Sequence, residues 1–233
     1  MKNNIYVYLI DKKTENPQAL YEEKKSKYFN VSRELIESLD EYVLSSGKRN
    51  KDERMLVATL VLESVFDLVS FASFPIPRGI KKDAFGKPSF GGSDVKISIA
   101  HNEDYAVVAY AKGAEIGVDI EGEIDEKKAE NLAVRFPVIS SLNAEKKENE
   151  NGDGEKIIFL EMKEDSPFEP LNLPSADGSF SAKWTAAEAI MKCDGRGFSA
   201  LGDIQNLLEN MNISAFTIRK NNKKSYISLA MKK

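Results

Sequence analysis

A chain of 233 residues with 42% apolar and 30% charged side chains has enough material for a substantial core, in one large domain or two small ones. Its net charge of −4 and pI of about 5.4 argue against a general nucleic-acid binder, which needs a basic surface. The single cysteine, Cys193, excludes an intramolecular disulfide and any zinc site built from several thiolates.

The opening stretch "MKNNIYVYLIDKK" carries an apolar run too short for a signal peptide or a membrane span. It reads as a first strand, and the expected setting is the cytoplasm with no membrane partner. "SRELIESLDEYVLSSG" has helical periodicity, with Ser32 as N-cap and Gly47 as stop. In "KDERMLVATLVLESVFDLVSF", Asp52 would cap a helix that is apolar around most of its girth, as a buried helix is. The Pro- and Gly-rich "FPIPRGIKKDAFGKPSFGGSD" reads as loop. "KISIA" and "YAVVAYA" form strands joined through "HNED" as a hairpin, and "AEIGVDIEGE" forms a third strand.

From Ile124 to Ser179 the periodic pattern weakens. "EKKAENLAVRF" is helical in pattern, whereas "AEKKENENGDGEK" is a charged, low-complexity stretch that reads as a solvated insertion around residues 140–180. "FSAKWTAAEAIMK" is again a helix, stopped by Gly195 and holding the only tryptophan. "ISAFTIRK" and "SYISLAMKK" then flank "NNKK" as a terminal hairpin. Each half runs strand, helices, strand pair. This order predicts an α+β fold of two similar subdomains, 1–112 and 113–233.

Four places are candidates for chemistry, and for His101 and Lys87 the alternatives are a turn histidine making a local hydrogen bond and an ordinary loop lysine. On the strand "EIGVDIE", alternation puts Ile116, Val118 and Ile120 on one face and Gly117, Asp119 and Glu121 on the other. Neighbouring carboxylates repel unless they are solvated or share a cation, and oxygen ligands of this kind suit Mg²⁺. The alternative is an exposed face at a sheet edge. On the Trp184 helix, Trp184, Glu188 and Lys192 are four apart, so they form one stripe, with Ala187, Ile190 and Met191 towards a packed side. Here the alternative is an exposed Glu188–Lys192 pair. His101, the only histidine, stands where a strand meets a turn, and Lys87 sits on a backbone stiffened between Gly86 and Pro88, where a cation meets a phosphate.

The ordered set F-G-K-P, I-A-H, G-V-D-I-E and W-x-x-x-E-x-x-x-K resembles the 4′-phosphopantetheinyl transferases, specifically the larger, monomeric, surfactin-synthetase-activating type. The resemblance runs from the first strand to the terminal hairpin and is weakest in the charged insertion. It implies a pseudo-twofold α+β fold with coenzyme A in the cleft between the halves. It also implies transfer of the phosphopantetheine arm to a serine of an apo acyl or peptidyl carrier protein, releasing adenosine 3′,5′-bisphosphate. Carried over residue by residue, Asp119, Glu121 and Glu188 would ligate Mg²⁺ (or Mn²⁺), and Glu188 would also help deprotonate the serine. Lys192 would neutralise pyrophosphate charge, while His101, Lys87 and Arg54 would hold the phosphates and nucleotide end of coenzyme A. The catalytic set is thus Glu188, Lys192 and Asp119. The chain departs from the family at Ala187, where a lysine is usual, and at Ala100, where a serine precedes the histidine. Lys48 and Arg49 are the candidates for the basic residues expected before the second helix. A metal-dependent phosphoesterase or nuclease on the same carboxylates, or a non-catalytic relic binding coenzyme A or carrier, remains an alternative.

Overall fold

The computed structural model describes residues 4–13, 16–45, 50–142, 156–162 and 168–233. Strand β1 (Ile5–Asp11) is buried along nearly its whole length, because it lies inside a sheet with apolar layers on both faces. Helix α1 (Pro17–Tyr28) has no counterpart in the sequence reading. Asn16 caps it by accepting from the Ala19 N–H and Pro17 opens it, but only Tyr21 is buried, so it has no apolar period to read. Helix α2 (Arg33–Leu44) buries Leu35, Ile36, Leu39 and Val43. Ser32 occupies its N-cap position without a side-chain bond, and Gly47, Lys48 and Arg49 lie outside the described residues.

Helix α3 (Lys51–Ala72) starts one turn position earlier than expected. Asn50 holds the N-cap place, while Asp52 and Glu53 fall in the first turn, where the helix dipole favours negative charge. By length and composition this helix is able to cross a membrane, yet 72% of its most apolar window is buried within the fold. The loop that follows contains a short ladder the sequence did not announce, β2 (Ile80–Lys82) with β3 (Pro88–Phe90). The expected hairpin is β4 (Val95–His101) and β5 (Tyr105–Lys112), followed by β6 (Ile116–Gly122). Helices α4 (Glu126–Arg135) and α5 (Pro137–Ser140) come next. Most of the charged stretch lies outside the described residues, but the expected insertion also holds strands β7 (Ile157–Glu161) and β8 (Glu169–Leu171). Helix α6 (Phe180–Asp194) ends with Gly195 in the left-handed conformation. A 3₁₀ turn (Gly197–Asp203) and α7 (Ile204–Glu209) lead to the hairpin β9 (Met211–Lys220) and β10 (Lys223–Lys232). Asn221 and Asn222 both take positive φ at its two-residue turn, the geometry that follows strand twist.

The fold is α+β, and besides the short antiparallel β2–β3 ladder the described residues form one mixed and one antiparallel sheet. The larger sheet has the order β4-β5-β1-β7-β8, in which only the β1–β7 pair is parallel, and the smaller has the order β6-β10-β9. Both contain the same unit. A first strand (β1 or β6) leads through a long helix (α3 or α6) to a hairpin (β4–β5 or β9–β10) whose second strand pairs with the first. Strands β7 and β8 run back from the second half to extend the first half's sheet. The two sheets pack face to face through Val7, Leu9, Val107 and Ala109 against Val118, Ile120, Ile227 and Leu229. Helices α1 to α3 cover the other face of the large sheet, and α6 covers the other face of the small one.

Candidate active site

Gly117 decides how close α6 comes to its sheet. A Cβ at this position would stand 2.0 Å from the Ala189 carbonyl oxygen and 2.4 Å from the Cys193 nitrogen, so only hydrogen fits beneath the helix. Asp119 and Glu121 follow on the same face of β6, while Glu188 and Lys192 come from α6 above them. The helix therefore covers the face that would otherwise be an exposed sheet edge. One carboxylate oxygen from each of Asp119, Glu121 and Glu188 lies within 4.8 Å of the others.

Helix α6 is buried on nearly every side, Trp184 included, which the two-sided stripe did not foresee. Trp184 packs against Phe136 with ring centroids 5.6 Å apart, and its indole stands on the same stripe as Glu188, whose carboxyl pKa it lowers slightly. Lys192 does not serve as a surface partner for Glu188. Its Nζ donates to Asp119 Oδ1 at 2.6 Å. The other oxygen, Asp119 Oδ2, is buried with no hydrogen-bond partner among the described residues. Directly opposite Asp119 on β10, Ser228 is fully buried, and among the described residues its hydroxyl also has no hydrogen-bond partner. Buried polar atoms are almost always paired, so two orphans at one spot mark a place with unused bonding capacity. Burial pushes all three carboxyls up in pKa. Glu188 reaches about 7, through burial first and then the charges of Asp119 and Glu121, with Lys192 opposing. Asp119 rises through burial against the pull of Lys192, and Glu121 rises through burial and the Asp119 charge. Three hard oxygen donors, one orphaned, fit a small divalent cation.

His101 ends β4 beside this cluster, close enough for Lys192 and Asp119 to influence its titration. It also lines a cleft together with Leu39, Val57, Val61 and Ile99. Its Nε2 lies 3.1 Å from Glu53 Oε1, at the start of α3. The structure thus brings His101, Asp119, Glu121, Glu188 and Lys192 together. Lys87 and Arg54 are engaged elsewhere. The Lys87 Nζ donates to Glu115 at 2.6 Å and to the Cys193 carbonyl at 2.8 Å, which tethers the loop to the C-terminal end of α6. Arg54 donates to the Tyr42 carbonyl at 2.9 Å and to Ser45 Oγ at 2.7 Å, and its guanidinium stands 5.0 Å over the Tyr42 ring. Tyr42 and Lys82 line the cleft, so Arg54 braces its rim from behind.

Ala187 and Ala100 are both buried, the first under α6 and the second between the sheets. The sequence reading missed Glu53, Lys12 and Ser228. Glu53 looks like a first-turn helix charge and Ser228 like an ordinary strand residue. Only the register opposite Asp119 gives the serine meaning. No protein-family model matches the chain, and no curated protein matches it.

Proposed function

We propose that this chain is a 4′-phosphopantetheinyl transferase of the larger, monomeric, surfactin-synthetase-activating type, acting in the cytoplasm on coenzyme A and an apo acyl or peptidyl carrier protein. The observation that carries the reading is the convergence of Asp119, Glu121 and Glu188 beside Lys192, with a buried oxygen of Asp119 left unpartnered. The shared strand–helix–hairpin connectivity of the two halves supports the pseudo-twofold fold that such an enzyme uses.

Asp119, Glu121 and Glu188 would hold Mg²⁺ or Mn²⁺, which when bound supplies positive charge against the pyrophosphate of coenzyme A. The carrier serine oxygen attacks the phosphorus bearing the pantetheine arm. The bond to the bridging oxygen breaks, and adenosine 3′,5′-bisphosphate leaves. Glu188 takes the serine proton. Without a cation, burial and the Asp119 and Glu121 charges hold the Glu188 carboxyl up at about 7. With a cation bound that value would fall, so Glu188 would take the proton as the serine oxygen loses it to the shared positive charge. Lys192 provides counter-charge for the departing phosphate, exchanging its hold on Asp119 for the ligand. His101 bonds a phosphate at the nucleotide end, where the cleft opens. Phosphoryl transfer of this type depends on positioning and charge neutralisation, which these groups provide together.

The test is intact mass. The protein is incubated with coenzyme A, Mg²⁺ and apo carriers of the fatty-acid, polyketide and nonribosomal-peptide kinds. A phosphopantetheine-sized gain on at least one carrier supports the reading, and no gain on any of them defeats it.

A further inference from the structure

Glu53 is the one charged side chain from the long helix α3 that reaches the ligand-facing histidine. Its Oε1 is 3.1 Å from His101 Nε2, and its Oε2 accepts from the Lys12 Nζ. Lys12 also donates to the Asn102 carbonyl at 2.7 Å, so the ammonium is pinned between α3 and the turn that follows His101. That turn is itself tied down. The Asn102 side chain accepts the N–H of Asp104 at 3.0 Å and of Tyr105 at 2.8 Å, and donates to Ser225 of β10 at 2.9 Å. The result is a relay from the turn through Lys12 and Glu53 to one nitrogen of an imidazole whose body lines the cleft. Every member except the histidine is mostly screened from solvent.

We propose that Glu53 is a positioning residue that, braced by Lys12, fixes the His101 ring through Nε2 and leaves Nδ1 as the N–H offered to a ligand phosphate. A carboxylate at Nε2 fixes the ring orientation and favours the doubly protonated ring, in which Nε2–H faces Glu53 and Nδ1–H is free for an anion. The neutral ring with its proton on Nε2 has no N–H at Nδ1 to offer. Four charged groups on four elements act on the ring. Burial lowers its pKa, Glu53 from α3 raises it, Lys12 beyond β1 and Lys192 from α6 lower it, and Asp119 from β6 raises it. Glu53 is the largest influence opposing burial, so it sets how much of the charged form survives at neutral pH.

Because His101 is the only histidine, its ring resonances report its titration without assignment ambiguity. Glu53→Gln keeps the shape and an acceptor oxygen, and is expected to lower the protonation constant of His101 by about tenfold. Lys12→Gln removes the competing cation and is expected to raise it. In turnover, Glu53→Gln should raise the KM for coenzyme A several-fold with kcat nearly kept, while the 3′-dephospho form is little affected. The phosphate half of this inference rests on the transferase reading, whereas the titration needs no turnover. A wild-type chain that transfers nothing therefore counts against that reading alone. A His101 titration that neither variant moves, or a KM that rises equally for the two nucleotides, overturns the role given to Glu53.

Discussion

The two halves share one connectivity but treat their buried polar groups in opposite ways. In the first half, those on α3 are matched. Tyr8 donates to Asp67 at 2.9 Å, Tyr28 donates to the deeply buried Glu63 at 2.8 Å, and Ser64 and Tyr110 share a hydrogen bond of 2.6 Å. Large aromatic rings hold the helix off the sheet, and each polar tip finds a partner. In the second half, Gly117 lets α6 descend onto β6, and the polar groups trapped there are not all matched. Asp119 Oδ2 and Ser228 Oγ have no hydrogen-bond partner among the described residues, and three carboxyls crowd one another. The same frame thus gives a closed, stable half and an open half whose unsatisfied valence is available to a ligand. Natural proteins concentrate such unsatisfied groups where they function.

The contrast breaks most visibly at Gly117. Gly117→Ala drives a methyl into α6 backbone and should cost about 3 kcal/mol or more, read as a shift of the denaturant midpoint. An unchanged midpoint would mean that the close approach of helix and strand does not hold the second half together. Next in size is Glu188→Gln, which keeps shape and removes charge. Single-turnover transfer should fall by roughly 10²- to 10⁴-fold, as for loss of a general base, with the melting temperature kept or raised. Wild-type speed in this variant would return α6 to a purely structural role.

A pH series sharpens the comparison further. Asp119, Glu121 and Glu188 all hold protons more tightly in the folded chain than in the unfolded one. They therefore favour folding at low pH, and that contribution is lost as pH rises from about 4.3, the unfolded value, to about 7, where folded Glu188 ionises. The metal-free protein should lose stability over this window, and Glu188→Gln should lose less. Identical slopes for the two proteins would contradict the burial and neighbouring charge that raise the Glu188 carboxyl.

The smallest effects form a pair across the halves. Tyr8→Phe strips Asp67 of a donor and should cost about 1 kcal/mol. Ser228→Ala removes a hydroxyl that has no partner, so stability should stay level or rise by up to about 1 kcal/mol. Equal losses from both changes would erase the distinction between closed and open halves.

Elements carried by local pattern were legible in the sequence. The β4–β5 hairpin, β6, α6 with its Gly195 stop and the Asn221–Asn222 turn all announce themselves within a few residues. Helix α1 was not legible, because one buried tyrosine in twelve residues gives no period. Strands β7 and β8 exist through pairing with the distant β1 edge, which no local window contains. At the site, the alternation in "GVDIE" showed which side chains share a face, and spacing by four put Glu188 and Lys192 on one side of their helix. What neither pattern could give was the partner. Lys192 reaches Asp119 because Gly117 lowers the helix, and Glu53 reaches His101 because α3 begins beside the end of β4.

The open carboxylate cluster as a cation seat for coenzyme A is the central claim, and calorimetric titration of Mg²⁺ tests it most directly. The cation is added to the wild type and to Asp119→Ala, each with and without coenzyme A. The account predicts one Mg²⁺ per wild-type chain, bound more tightly when coenzyme A is present, and no binding of this kind in Asp119→Ala. Equal Mg²⁺ binding by the two proteins, or a wild-type affinity indifferent to coenzyme A, would contradict it.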